Sequence, residues 1–150
     1  MRFNTAGMSR LGGWLAGLWA GALLAIALIA APATFAALPV ADAGRVVGGI
    51  FAREAAASLA LSAALFWVVR ARARSAAAAG AGSVVDTNVL MVLGTLFCTL
   101  AGYYAVQPMM VAARAGQGPI GFGALHGVSL GFFALKGLLT MTLAWRLTAR

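Results

Sequence analysis

The chain is 150 residues long, 63% hydrophobic and only 9% charged, with a mean hydropathy of +0.95. Soluble domains carry roughly 25% charged and about 45–50% apolar residues, so a disordered tail, a nucleic-acid-binding domain and most soluble enzymes are excluded. Eleven Lys and Arg against three Asp and Glu give a net charge of +8. These basic residues fall between apolar runs rather than along one exposed face, which is the pattern of a small integral membrane protein.

A spanning helix needs about 20 mostly apolar residues, because lipid offers no partner to an open backbone amide. Four segments qualify, at about residues 11–38, 46–70, 87–112 and 119–145. The first is uncharged, and Pro32 and Pro39 mark its far end. Arg2 and Arg10 precede it and Ala31-Pro32-Ala33 loosely resembles a cleavage site. Its apolar stretch is nevertheless far longer than the ~7–15 residues of a secretory signal core, so it is read as a retained span. Arg53 and Glu54 interrupt the second segment. Residues 71–86 then form a low-complexity linker rich in Ala, Gly and Arg, read as a cytoplasmic extension of the helix and a flexible loop. The third segment is uncharged. The fourth opens on Pro119, a favourable first helical residue, and contains His126 and Lys136. The expected fold is all-α: one membrane domain over residues 1–150, a bundle of four transmembrane helices in antiparallel up-down order.

Lys and Arg set orientation. With four spans, Arg2, Arg10, Arg70, Arg72, Arg74, Arg146 and Arg150 share one side, against Arg45 and Arg114 on the other. Both termini are therefore expected in the cytoplasm. Trp14, Trp67 and Trp145 at the inner ends, with Tyr103 and Tyr104 towards the outer end, agree with that placement as interfacial aromatics. Cys98, the single cysteine, sits in an apolar run and reads as a small buried residue.

Helices in lipid associate through close packing and hydrogen bonds, so small residues at four-residue spacing are candidate contact strips. The first span has Gly13, Gly17 and Gly21. The second has Gly48, Ala52, Ala56, Ala60 and Ala64, the third Gly94, Cys98 and Gly102, and the fourth Gly123, Gly127 and Gly131. The glycine runs favour tight helix packing or a homodimer.

Charges inside spans are the sharpest signal, each costing about 2.5–3.5 kcal/mol at a helix centre. Counting from Pro119, Lys136 lies roughly 25 Å down a ~30 Å core, so its ammonium is expected to snorkel to the cytoplasmic interface. His126, Ser129, Lys136 and Thr140 share one arc of the fourth helix. Arg53 and Glu54 lie at a comparable depth in the second span, and Gln107 near the outer end of the third. Arg53, Glu54, Gln107, His126 and Ser129 thus make a candidate polar cluster under the outer surface. The plainer reading is a structural hydrogen-bonded network; the functional one is a small-ligand, proton or metal site. Met109 and Met110 with His126 would suit Cu(I) by ligand softness, but one His without Met-x-Met or Cys-x-x-Cys spacing makes no metal set. Paired carboxylates, a Ser/His/Asp set and a phosphate loop are all missing, so neither catalysis nor a cofactor is expected.

Several strings stand in a fairly specific order: Leu18-Trp19-Ala20-Gly21, the run Ala31 to Pro39, Ala43-Gly44-Arg45, Ile50-Phe51, Val106-Gln107-Pro108-Met109 and Leu125-His126-Gly127-Val128-Ser129. The series resembles the bacterial membrane family called domain of unknown function 4149, which is similar to the eukaryotic transmembrane protein 205. The resemblance runs from about Trp14 to Trp145. It implies a four-helix membrane protein whose recognisable positions, Pro32, Phe35, Pro39, Gly44, Phe51, Gln107, Pro108, His126 and Ser129, gather at the outer ends of the helices. No activity comes with it; the eukaryotic relative is associated with drug resistance and secretion.

The expectation is a non-enzymatic, multi-pass protein of the bacterial inner membrane. It reads as a structural or accessory component whose polar cluster engages a partner or small ligand. The alternative is a small transport or metal-handling protein using His126. Its partners are the lipid bilayer and either a second copy or another membrane protein, with no nucleic acid.

Overall fold

The computed structural model describes residues 5–149, with side chains from residue 7 onward. Arg2 and Arg150, which enter the charge count, lie outside the described residues. Those described form no strand. Four helices, Gly7–Ala37, Val40–Ala78, Thr87–Arg114 and Phe122–Thr148, are long and apolar enough to cross a membrane. The chain is a multi-pass, all-helical membrane protein.

Two helix starts differ from expectation. The second helix begins at Val40, not near residue 46, because Pro39 caps it in an extended conformation (φ −53°, ψ 144°) and leaves only a brief break after the first helix. Asp42 then falls in the first turn, where the helix dipole favours a carboxylate, and it pairs with Arg45. The fourth helix begins at Phe122, and Pro119 stays outside it. The loop before it turns through Gly116 (φ +71°) and Gly118 (φ +96°), left-handed conformations that suit glycine. The second helix also continues to Ala78, so much of the linker is helical.

Prolines inside the first and third spans do not end them. Each is preceded by a short π-helical stretch, Ile26–Ala30 before Pro32 and Leu100–Ala105 before Pro108. A proline lacks the N–H that would reach the carbonyl four residues back. Those carbonyls, of Leu28 and Tyr104, lie within the wider turns, which absorb the misfit and let the helix continue.

Side-chain pairs show how the helices run. Trp19 meets Ser58, and Gly12 abuts Val68, so the first two helices oppose each other. Asn88 bonds Arg146 while Gly94 faces Leu139 and Gly102 faces Phe132, so the last two oppose each other as well. The second and fourth run parallel on the diagonal, Phe51 beside Phe133 and Glu54 beside Lys136.

The half of the bundle nearest the termini is closed. Ala16, Trp19, Leu23, Leu65, Val69, Val89, Val92, Leu143 and Leu147 fill it as one continuous core. The other half is open on one side. Neither Ile26–Ala30 nor Ala31–Ala37 contains a buried residue, so the first helix buries side chains only before its π-helical stretch. Trp14, Trp67 and Trp145 stand exposed around the end that carries the termini.

The glycine strips behave differently from expectation. Gly13 is tight, since a Cβ there would lie 2.6 Å from Thr148 Cγ2. Gly17, Gly21, Gly123, Gly127 and Gly131 have no atom within 4 Å of such a Cβ, so they are not packing contacts within the chain. The second span's strip likewise turns Ala52, Ala56, Ala60 and Ala64 outward. The third span's strip is the packed one: a Cβ on Gly102 would overlap Phe132 Cβ, and one on Gly94 would sit 3.1 Å from Leu139. The buried faces are instead chosen by the large and polar side chains, which cannot all face lipid. Gly102→Ala should therefore destabilise the protein by about 1–3 kcal/mol, the usual cost of overpacking. Gly127→Ala should not destabilise it. Unfolding of the detergent-solubilised variants by sodium dodecyl sulfate separates the two.

Candidate functional site

Glu54 and Lys136 each lie fourteen residues beyond the first residue of their helices. Because those helices run parallel, the two side chains meet at one depth. Lys136 Nζ donates to Glu54 Oε1 at 2.8 Å and Oε2 at 2.9 Å, and to Ser58 Oγ at 3.3 Å. Ser58 Oγ donates to Glu54 Oε1 and accepts from Trp19 Nε1 at 3.1 Å. Lys136 is 3% exposed and Ser58 fully buried. All three ammonium protons, the serine proton and the indole N–H therefore have acceptors, and the network closes on itself.

This overturns the snorkelling expectation for Lys136. A helical side chain leans towards the N-terminus of its own helix, which here directs the ammonium away from the interface that snorkelling would need. A carboxylate at matching depth then satisfies it more completely than a stretched reach to water. The later start of the fourth helix, at Phe122, also places Lys136 nearer mid-helix than a start at Pro119 would.

Above the pair, in the open half, is a cavity of about 210 Å³. Glu54 and Lys136 form its floor together with Cys98 and Thr99. Its walls are largely apolar, with Val47, Phe51, Met110, Leu130 and Phe133 among them, and Gly44, Gly48 and Gly102 add no side chain. Phe51 and Phe133 meet edge to face at 5.2 Å. Phe35 is the sole residue of the first helix in the lining. At the far end stand Gln107, Arg114, Phe122 and His126. The Arg114 guanidinium sits 4.4 Å from the centre of the Phe122 ring, and His126 stacks on that same ring at 5.7 Å and 15°.

The expected polar cluster is therefore divided. Gln107, His126 and Ser129 do line one cavity with Glu54. Ser129 is also structural, donating to the Gly102 carbonyl of the third helix at 2.8 Å, inside the π-helical stretch. Arg53 does not belong: it is exposed, donates back to the Gly49 carbonyl of its own helix, and is absent from the lining. One residue later on a helix turns the side chain by about 100°, which separates it from Glu54. Of the resemblance positions, Phe35, Gly44, Phe51, Gln107, His126 and Ser129 line the cavity, whereas Pro32, Pro39 and Pro108 do not. The prolines shape the backbone around it instead.

Sequence reading missed Lys136 and Ser58 as partners of Glu54, and Trp19 as the donor to Ser58. A signal was present in the equal spacing of Glu54 and Lys136 from their helix starts, but the starts themselves were misplaced. Cys98 was read as buried, and it is, yet it also forms part of the cavity wall. Among the described residues no group of three His, Cys, Asp or Glu is gathered to hold a metal ion.

Among known families, the model described as "Domain of unknown function (DUF4149)" matches residues 14–118. No curated protein and no solved structure matches. The matched stretch contains Trp19, Glu54, Ser58 and Arg114 and ends before the fourth helix, so Lys136 lies beyond it.

Replacing Lys136 by Met should cost about 3–5 kcal/mol, because it leaves the Glu54 carboxylate buried without a counter-ion. Glu54→Leu with Lys136→Met should recover most of that stability. Titration of detergent-solubilised variants with sodium dodecyl sulfate tests the pair; a lone Lys136→Met as stable as the parent chain would show that the pair contributes nothing.

Proposed function

The chain belongs to this family of unknown function, the DUF4149 family, and from that premise we propose that it is a non-enzymatic accessory membrane protein that holds a small ligand in the cavity above Glu54 and Lys136. The cavity itself carries the reading. At about 210 Å³ it exceeds the ~150 Å³ apolar cavities that already accept a benzene-sized guest. A bundle built only as a scaffold gains nothing from such a void, since each unfilled volume loses dispersion contacts along its lining.

The non-enzymatic reading is supported by the floor. Its two charged groups pair with each other, and Ser58 is hydrogen-bonded to both. Metal handling through His126 gains no comparable support, because His126 stands exposed and stacked on Phe122.

We place the protein in the bacterial inner membrane with both termini cytoplasmic and the cavity towards the outer leaflet. The positive-inside rule supports this: Arg70 and Arg146 bond to Val84 and Asn88 at the end of the bundle that carries the termini. In this reading the bilayer covers Gly17, Gly21, Gly123 and Gly127, which face outward. A C-terminal fusion should be fluorescent with green fluorescent protein and inactive with alkaline phosphatase; the reverse would invert the orientation.

Cys98 is the sole cysteine and lines the cavity, so it reports on access. Thiol modification needs the thiolate, which forms only where water reaches. N-ethylmaleimide should label Cys98 in vesicles. Gly48→Leu, which adds a side chain to the lining where nothing lies within 4 Å, should slow that labelling, and Gly127→Leu should not. A Cys98 that reacts only after unfolding would overturn the proposal.

A further inference from the structure

Resting on that reading of the cavity, we propose that its ligand is a single-chain anionic amphiphile. Its alkyl end lies towards Glu54 and Lys136, and its acidic head lies at Arg114. Polarity along the cavity carries the argument. A ligand's polar head is drawn to whichever polar groups still lack partners, since a satisfied buried network gains nothing from another.

The floor has no such capacity. Lys136 uses its three N–H groups on Glu54 and Ser58, and Ser58 uses its hydroxyl proton on Glu54 while accepting from Trp19. A charged head placed there would have to break this network inside hydrocarbon. An alkyl end disturbs nothing, and the walls of Val47, Phe51, Leu130 and Phe133 match it.

The rim is the opposite case. The protein has three acidic side chains, and each is committed elsewhere. Asp42 pairs with Arg45, Glu54 with Lys136, and Asp86 accepts from the Val89 amide at the start of the third helix. Arg114 lines the cavity mouth without a carboxylate among the described residues. Its contact with Phe122, Cζ 4.4 Å from the ring centroid, uses no carboxylate, and a guanidinium offers a planar fork of N–H donors to a bidentate oxyanion. Gln107 and His126 line the same cavity and can add neutral hydrogen bonds to the head. The shared chemistry is one alkyl chain bearing an oxyanion, whether a free carboxylate or a lipid phosphate.

The test measures protection of Cys98 from N-ethylmaleimide in vesicles by octanoate, octyl phosphate, octanol and octyltrimethylammonium, compared at equal membrane-bound concentrations. The anionic probes should protect roughly fivefold better than the neutral and cationic ones, the scale of a partly exposed charge pair. Arg114→Gln should abolish that preference, and Arg114→Lys, which keeps the charge, should retain part of it. Protection by octanoate alone would assign a free acid, and by octyl phosphate alone a phospholipid-type head; either supports the proposal. Equal protection by all four probes, or by none while Gly48→Leu still slows labelling, would overturn the anionic assignment and leave the cavity reading standing. A Cys98 beyond the reach of N-ethylmaleimide in the native protein would overturn both.

Discussion

A charged side chain in the middle of a bilayer has no water to turn to, and this chain buries two of them inside the bundle, Glu54 and Lys136. The pairing of Lys136 with Glu54 is the constraint around which the rest is arranged. For it to form, the second and fourth helices must run parallel with their charges at one depth, which requires the third helix to return the chain between them. Ser58, one turn beyond Glu54, supplies the last acceptor for the ammonium and a donor for the carboxylate. Trp19 brings in the first helix by donating to that same serine. Three helices are thereby held in register by four side chains. Nonspecific apolar contact could not do this, because lipid tails satisfy leucine as well as another helix does.

The pair also divides the bundle. Towards the termini, large side chains interlock around Trp19, Leu65 and Leu143. On the other side the first helix passes its π-helical turn and buries nothing. Gly44 and Gly48 leave the second helix thin where it lines the cavity. The third and fourth helices stay together there through Gly102, which admits Phe132, and through the Ser129 bond to the Gly102 carbonyl. The closed half fixes the geometry, and the open half contains the cavity. The Lys136 network serves both halves, as the keystone of one and the floor of the other.

Such a network adds little to stability against a well-packed apolar alternative, and its value lies in specifying one arrangement. Without it, the small-residue faces of these helices would offer several packings of similar energy. The outward-facing glycines of the first and fourth helices show that the motif for close packing was available and was not used within the chain. The third helix used its glycines because Phe132 and Leu139 of the fourth helix needed the space.

The number of spans, their apolar character and the burial of Cys98 were legible from residue order alone, as was the fact that the spans carry polar residues. Each depends on local composition: enough apolar residues in a row must become a membrane helix, whatever surrounds them. The partner of Lys136 was not legible in that way. Snorkelling and pairing are both local solutions for a lysine at that depth, and the choice turns on whether a carboxylate on another helix arrives at the same height. That height depends on where Pro39 and Gly121 start their helices, a matter of a few residues. The glycines were ambiguous for the same reason, since a strip shows that close approach is permitted and not which neighbour makes it. Arg53 and Glu54 are adjacent in sequence but one faces outward and the other the core, because rotation about the helix separates them. The sequence by itself determined a four-span membrane protein with polar residues inside it; only the tertiary arrangement decided which of them meet, because contact across helices depends on register and rotation that no single helix encodes.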